Sequence, residues 1–376
     1  MPDICQEYIL VVISFLLSMV CGLTCIPYII RFCSKKGLYD IPNGRKVHKN
    51  AIPRLGGISF MPSMLLASLV VMGIYGLQSQ HDWIHINTST VGFLISLLII
   101  YGIGIVDDLV GLGPKTKFTA QIIAAAILPM SGLYINNLYG FCFIHKIPFL
   151  IGAPLTLFVV VYICNAINLI DGIDGLSAGL SFIALSGFLM YFFRESMLLY
   201  CILIAGLMGV LLAFLYYNVF GKSEKNRKIF MGDSGSLTLG YTLGFLAVKL
   251  IMDRPHTISL HADSFLLAYS FVLVPCFDVA RVSFIRICHH VNIFHADKNH
   301  IHHKLMRSGL SQHQSLLVIY SLAVFFILAN YGLHQLSLSM TAIVIIDIVF
   351  WIVFHKVLNW GIVRNGQPVY LVNSEE

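Results

Sequence analysis

FLIGAPLTLFVVVYICNAINLIDGIDGLSAG, residues 149–179, sets an apolar run from Phe149 to Cys164 directly against a polar, glycine-punctuated segment from Asn165 to Gly175. An apolar run of this kind is the mark of a membrane span, since about 20 helical residues cross the ~30 Å hydrocarbon layer. Asn165, Asn168, Asp171 and Asp174 recur every third residue. On a continuing helix end they stack on one face. Such groups are costly beside apolar spans unless they bind a cation, a nucleotide base or a sugar.

The rest of the chain repeats the contrast. Its 376 residues are 57% hydrophobic and 11% charged, against about 45–50% and about 25% in soluble proteins. With a mean hydropathy of +0.82, this excludes an ordinary soluble protein, a disordered chain, or a large soluble domain beside one anchor. Eleven apolar stretches centre near residues 8–30, 57–77, 89–106, 118–133, 149–165, 176–193, 198–217, 235–251, 264–283, 314–332 and 337–357. The first has no basic residue ahead of it and exceeds a signal-peptide core, so it reads as a retained span. The expected fold is an all-α, polytopic membrane protein of about eleven helices. It forms one membrane-embedded domain over residues 1–376.

Eleven spans put the termini on opposite sides. With the N-terminus outside, 20 of the 24 Lys and Arg residues fall in cytoplasmic loops and the C-terminal tail, leaving Lys146, Arg194, Lys249 and Arg254 opposite. The positive-inside rule therefore selects a cytoplasmic C-terminus. Much of the net charge of +6 lies on that face. The nine cysteines are odd in number, lie mostly in apolar runs and form no CxxC pair, so they read as small buried hydrophobes.

The same orientation gathers the polar chemistry on one side, in loops at about 31–56, 107–118, 165–176, 218–236 and 284–313. Asp107 and Asp108 end the third span; adjacent carboxylates repel unless a cation or a lysine, here Lys115 or Lys117, neutralises them. Read alone, the pair is also consistent with solvated charges at a helix end. DGIDG lacks the spacing and final Glu of a calcium loop. Gly175-Leu-Ser177-Ala-Gly179 satisfies GxSxG, but it opens a membrane helix, so small-residue packing is the better reading. Phe230-Met-Gly232-Asp233-Ser234-Gly235 places Asp233 at a helix start suited to phosphate or a carboxylate-bound metal, with Asp233 or Ser234 free to serve as the cap. Phe230 is placed to stack on a base or simply to pack.

His300, His302 and His303 sit among Lys298, Lys304 and Arg307 without a cysteine or acidic cluster, which favours an anion such as a diphosphate over zinc. The first loop, with Lys49 and Arg54 among its basic residues, suits anionic lipid or an anionic ligand equally.

Six segments in order, NGRKVHK…PRLGG, DDLVGL…K, NAINLIDGIDGLSAG, FMGDSGSLTLG, PxxDxxRVxxxR and DKNHIHHKLMRSG, resemble the polyprenyl-phosphate N-acetylhexosamine-1-phosphate transferase superfamily over roughly residues 31–310. The single HIHH followed by LMRSG is most similar to bacterial undecaprenyl-phosphate GlcNAc-1-phosphate transferases of the WecA and TagO type. The resemblance implies ten or eleven helices around a cytoplasm-facing cleft in a bacterial inner membrane. It implies transfer of a sugar 1-phosphate from UDP-GlcNAc to undecaprenyl phosphate with release of UMP, with UDP-FucNAc or UDP-QuiNAc as alternative donors.

It further implies magnesium, replaceable by manganese, on Asp233. Asp107, Asp108, Lys117, Asp171 and Asp174 would serve catalysis, and Asn168, Phe230, His300, His302 and His303, with Lys49 and Arg54, substrate binding. The partners implied are the UDP-sugar, undecaprenyl phosphate and the bilayer, with no nucleic acid and with a homodimer left open.

Two anionic phosphates must approach each other, which calls for a cation and basic side chains. A phosphate monoester with a second pKa near 6 needs no base at neutral pH, so direct attack is favoured over a covalent aspartyl intermediate. A transporter of anionic or lipid-linked solutes is the rival class. It predicts an internal repeat and paired charges deep in the spans. The halves share no motif, the interior acids are chiefly Asp278 and Asp347, and Asp278 has Arg281 three residues on.

Overall fold

The computed structural model describes residues 4–40, 51–78, 87–222, 224, 227–253, 262–292 and 298–371. Its elements in chain order begin with α1 (Ile4–Lys36), β1 (Tyr39–Asp40), β2 (Ile52–Pro53), a 3-10 turn (Gly56–Ser59), α2 (Phe60–Gln78), α3 (Thr88–Val110) and α4 (Pro114–Met130). They continue with β3 (Asn137–Phe141), β4 (Ile144–Lys146), α5 (Phe149–Leu169), α6 (Leu176–Arg194), α7 (Leu198–Val219), α8 (Gly232–Ile251), α9 (Ala262–Cys288), α10 (Ile301–Arg307), α11 (Gln312–Gln335) and α12 (Met340–Arg364). The only strands among the described residues form two small antiparallel pairs, β1 with β2 and β3 with β4.

Each of the eleven apolar stretches is a helix. Ten are long and apolar enough to cross a membrane. The remaining stretch, expected at 118–133, is the 17-residue α4. It starts at Pro114, whose fixed φ and missing N–H suit a first helical turn.

Burial follows from what each helix faces. The apolar window of α8 is wholly buried although it is the least hydropathic of the ten, because α3, α5, α6 and α9 surround it. Its Thr238 and Thr242 hydroxyls donate to the carbonyls four residues back, so they cost little in the interior. By contrast α12 exposes Val353, Val357, Trp360 and Val363, as a lipid-facing helix does. Because lipid tails are as apolar as leucine, packing here rests on shape and on polar contacts. Phe93 stacks on Phe245 at 3.9 Å. Asp347, on α12, accepts from Tyr269 on α9 and Asn330 on α11, each at 3.0 Å. It is therefore a clasp among three helices.

Chain direction gathers the polar segments at one end. α1, α3, α5, α7, α9 and α12 run toward that end, and α2, α4, α6, α8 and α11 start from it. Asp40, just beyond α1, and Gln312, at the start of α11, line the same cleft there. Tyr8, at the far end of α1, stacks on Phe193 near the last turn of α6 at 4.2 Å. The start of α1 and the end of α12 thus lie at opposite ends of the bundle.

Candidate active site

A cavity of about 730 Å³ opens where these helix ends converge. Asp107 and Asp108 reach it from the last turn of α3, Lys117 from the first turn of α4, and Asn168 from the last turn of α5. Asp171 and Asp174 follow α5, Phe230 precedes α8, and Asp233 sits in the first turn of α8. Arg54 and His303 complete the lining among the residues singled out from the sequence.

The centre is a three-group bridge. The Lys117 ammonium donates to Asp233 Oδ2 at 2.8 Å and to Asp107 Oδ2 at 3.2 Å. Asn168 Nδ2 donates to Asp233 Oδ1 at 2.9 Å and to Ser236 Oγ at 2.8 Å. The other Asp107 oxygen accepts the Leu112 N–H at 2.6 Å, closing the turn after α3. One lysine therefore keeps two carboxylates from distant segments side by side.

Asp108 is placed differently. Its two oxygens accept the backbone N–H groups of Asp233 at 2.8 Å and Ser234 at 3.0 Å. No side chain of α8 caps its own first turn, so the expected cap by Asp233 or Ser234 is supplied by α3 instead. Gly232 makes room for this: its φ is +72°, and a β-carbon there would come within 2.6 Å of either Asp108 oxygen.

The expected polar stripe is broken after its second member. α5 ends at Leu169, so only Asn165 and Asn168 are helical. Asn165 pairs sideways with Gln121 at 2.6 Å. Asp171 is exposed to the cleft but has protein packed around it; the lost hydration, then Asp233, Asp174 and Asp108 nearby, pushes its carboxyl up to about 7. Asp174 is neutralised by Lys228 at 2.6 Å. Ser177 is buried and donates to the Ile167 carbonyl at 3.1 Å, as small-residue packing requires.

The first loop reaches the site through backbone pairing: Phe230 N–H donates to Pro53 O at 2.7 Å, and Gly56 and Gly57 N–H donate back to Phe230 O and Met231 O. Arg54 thereby enters the cleft, with its Nε buried and without a partner among the described residues. Lys49 lies outside the described residues.

The histidines divide. His303 lines the cleft, whereas His300 and His302 do not. His300 Nδ1 meets Asp278 Oδ2 at 2.8 Å, facing α9. Asp278 also holds Arg281 at 2.8 Å, the expected i,i+3 ion pair, and accepts the Ile301 N–H that begins α10. His302 is buried against Gly172, with neither ring nitrogen partnered among the described residues. Burial first, then His300, Arg307 and Lys298, pulls His303 down to about 4, so its imidazole is neutral at pH 7.

Several lining residues were not singled out from the sequence. Asn218, in the last turn of α7, accepts the Gly175 N–H at 2.7 Å and donates to Ile229 O at 2.9 Å, joining the two glycine-rich segments. Lys228 carries no sequence signal that separates it from Lys222 or Lys225. Asp40 and Gln312 enter only because helix ends meet.

Among the described residues no group of three or more His, Cys, Asp or Glu forms a ready metal cage. Carboxylate oxygens are nonetheless the ligands that magnesium takes, one or two at a time, with substrate phosphates supplying others. Asp107 and Asp233 are held side by side and Asp171 lines the same cleft, a grouping of negative charge that a cation would offset. The donor set therefore fits such an ion.

The family model described as glycosyl transferase family 4 matches residues 90–251, from α3 to the end of α8. The chain is 32% identical over 354 residues to a Bacillus subtilis (strain 168) protein named "Probable undecaprenyl-phosphate N-acetylglucosaminyl 1-phosphate transferase", covering 92% of this chain and 91% of that one. It is 30% identical over 319 residues to the Escherichia coli (strain K12) undecaprenyl-phosphate alpha-N-acetylglucosaminyl 1-phosphate transferase, covering 83% and 81%. A Yersinia pestis protein of the same name is 29% identical over 292 residues, covering 76% and 74%.

Proposed function

The chain belongs to glycosyl transferase family 4, and from that premise we propose that it transfers GlcNAc 1-phosphate from UDP-GlcNAc to undecaprenyl phosphate, releasing UMP. The observation that carries this reading is the single cleft in which Asp107, Lys117, Asn168, Asp171 and Asp233 converge at the bundle end that also holds most of the basic loops. Basic loops on one face support a cytoplasmic cleft in a bacterial inner membrane. The product is the first lipid-linked intermediate of a cell-surface glycan.

Asp233 and Asp107, with Asp171 beside them, would hold magnesium against the donor diphosphate. When bound, the ion spreads the charge of the transferring phosphoryl group. Lys117 holds Asp233 and Asp107 in register and adds a fixed positive charge where both phosphates must approach. Arg54 faces the phosphates from the first loop, and Phe230 offers a ring to the uracil. The neutral His303 can accept or donate one hydrogen bond without repelling a cation.

An oxygen of the lipid phosphate attacks the sugar-bearing phosphorus as the bond to the UMP oxygen breaks. The acceptor is already largely a dianion at pH 7, so no carboxylate need remove a proton. Asp108, occupied at both oxygens by the start of α8, positions Asp233.

Purified protein incubated with magnesium, undecaprenyl phosphate and a panel of UDP-N-acetylhexosamines, with UMP release followed, tests the reading. UDP-GlcNAc is expected to be the best donor. Release from none of them would sink it. Inversion at phosphorus in a single turnover is expected, and retention would replace direct attack by a covalent intermediate.

A further inference from the structure

The seven residues after α12, Asn365–Leu371, lie across the loop that carries the histidines. Asn299 and Leu371 exchange two hydrogen bonds: Asn299 Nδ2 donates to Leu371 O at 3.0 Å, and Leu371 N–H donates to Asn299 Oδ1 at 3.0 Å. Arg307 Nη2 donates to Val369 O at 3.3 Å, and Tyr370 stacks on His289 at 4.3 Å. The crossing segment and the loop border a second, open cavity of about 490 Å³. Lys298, His303 and Arg307 form one wall, and Asn365, Gln367 and Leu371 form the other. His303 belongs to both this cavity and the main cleft.

Placement of the loop depends on such supports. α10 has seven residues, too few to be stable as a helix without tertiary contacts. Asp278 and Arg281 hold its start from α9, the latter by donating to Asn299 O at 2.6 Å. Lys304 reaches Asn359 on α12. The crossing segment holds the remaining side.

We propose that Asn365–Leu371 is a positioning strap, which keeps His303 on the wall shared by the two cavities and completes a basic pocket for the donor rather than for the lipid. Lys298 and Arg307, with the amides of Asn365 and Gln367, suit the two phosphates and the hydroxyls of a UDP-sugar, and Met306 and Leu371 give the rest of the lining an apolar face on which a sugar ring can lie. The ligand assignment rests on the transferase reading; the positioning of the loop does not.

Three proteins test it: the full chain, a chain ending at Gly366, and Tyr370→Ala, with Tyr370→Phe as the conservative control that keeps the ring. Hydrogen exchange of Ile301–Arg307 is expected to be about tenfold faster in the first two variants than in the full chain, with α3 unchanged and Tyr370→Phe restored. The KM for UDP-GlcNAc is expected to rise about tenfold, the factor that 1.4 kcal/mol represents, while the KM for undecaprenyl phosphate stays the same. Unchanged exchange in both variants overturns the strap, whatever the activity. Faster exchange with both KM values raised equally, or with only kcat lowered, overturns the donor pocket. If the full chain releases UMP from no UDP-sugar, the transferase reading fails while exchange still decides the strap. Should the shortened chain not fold, Tyr370→Ala carries both measurements.

Discussion

The imidazole of His302 lies directly on the α-carbon of Gly172: a β-carbon at that position would come within 2.2 Å of Nε2. Two segments 130 residues apart in sequence, DGIDG and HIHH, are thus packed into each other, and the glycine is what lets them close.

Gly172→Ala is therefore expected to push His302 and the start of α10 away from the cleft. Misplacement of a substrate-holding loop by about 1 Å costs on the order of 100-fold, so kcat/KM for the UDP-sugar should fall by about that factor. Steady-state kinetics check this. His302→Ala in the same chain should recover part of the loss, because it removes the clashing ring.

Lys117→Met leaves Asp107 and Asp233 adjacent without their shared cation. The kcat is expected to fall by roughly 10²–10³, the usual cost of deleting one charge-stabilising donor from a reaction site. Lys117→Arg, which keeps the charge but not the compact point geometry, should retain more activity. Kinetics at saturating magnesium separate this from a change in metal affinity.

Asp108→Asn should act first on stability. An amide offers one acceptor where two backbone N–H groups need one each, and an orphaned buried donor costs about 1–3 kcal/mol. Thermal unfolding in detergent is expected to show a clear loss for Asp108→Asn. A smaller loss is expected for Asp107→Asn, which should lower kcat more.

The pH dependence follows from Asp171, whose carboxyl is raised to about 7. As pH falls the group takes up a proton and loses its hold on the cation, so kcat/KM should drop on the acid side, with a midpoint below the ligand-free value because bound magnesium favours the carboxylate. Asp171→Asn should remove most activity and leave only a limb at about pH 6, where the acceptor phosphate takes up its proton. In the ligand-free protein the folded state binds the extra proton between about 4, the unfolded value, and about 7. Stability should therefore decline as pH rises through that window, and a thermal-shift series at low ionic strength reads it. His303, pulled down to about 4, contributes nothing to the limb above pH 6.

Much of the fold was legible because lipid leaves few options: a long apolar run must become a helix that satisfies its own backbone. Among the eleven stretches, the one at 118–133 forms a helix of 17 residues, α4, and the other ten form helices long and apolar enough to cross a membrane. The cleft was legible as a set of polar segments at span ends, since charge is tolerated there and not deeper. Less legible was which member of each motif faces the cavity. His300, His302 and His303 look alike in sequence, yet Asp278 claims one, Gly172 buries another, and only the third lines the cleft. Asp107 and Asp108 look equivalent too, but a helix turns about 100° per residue, so one meets Lys117 while the other meets the start of α8.

The apolar periodicity, the side on which charge accumulates and the identity of the polar segments are properties of local composition, and the sequence alone determined them. The partners were decided by tertiary structure: Lys117 between Asp107 and Asp233, Asn218 between Gly175 and Ile229, and Leu371 on Asn299. A hydrogen bond depends on about 3 Å of distance and on direction. Between residues far apart in the chain, those quantities exist only once the helices have packed.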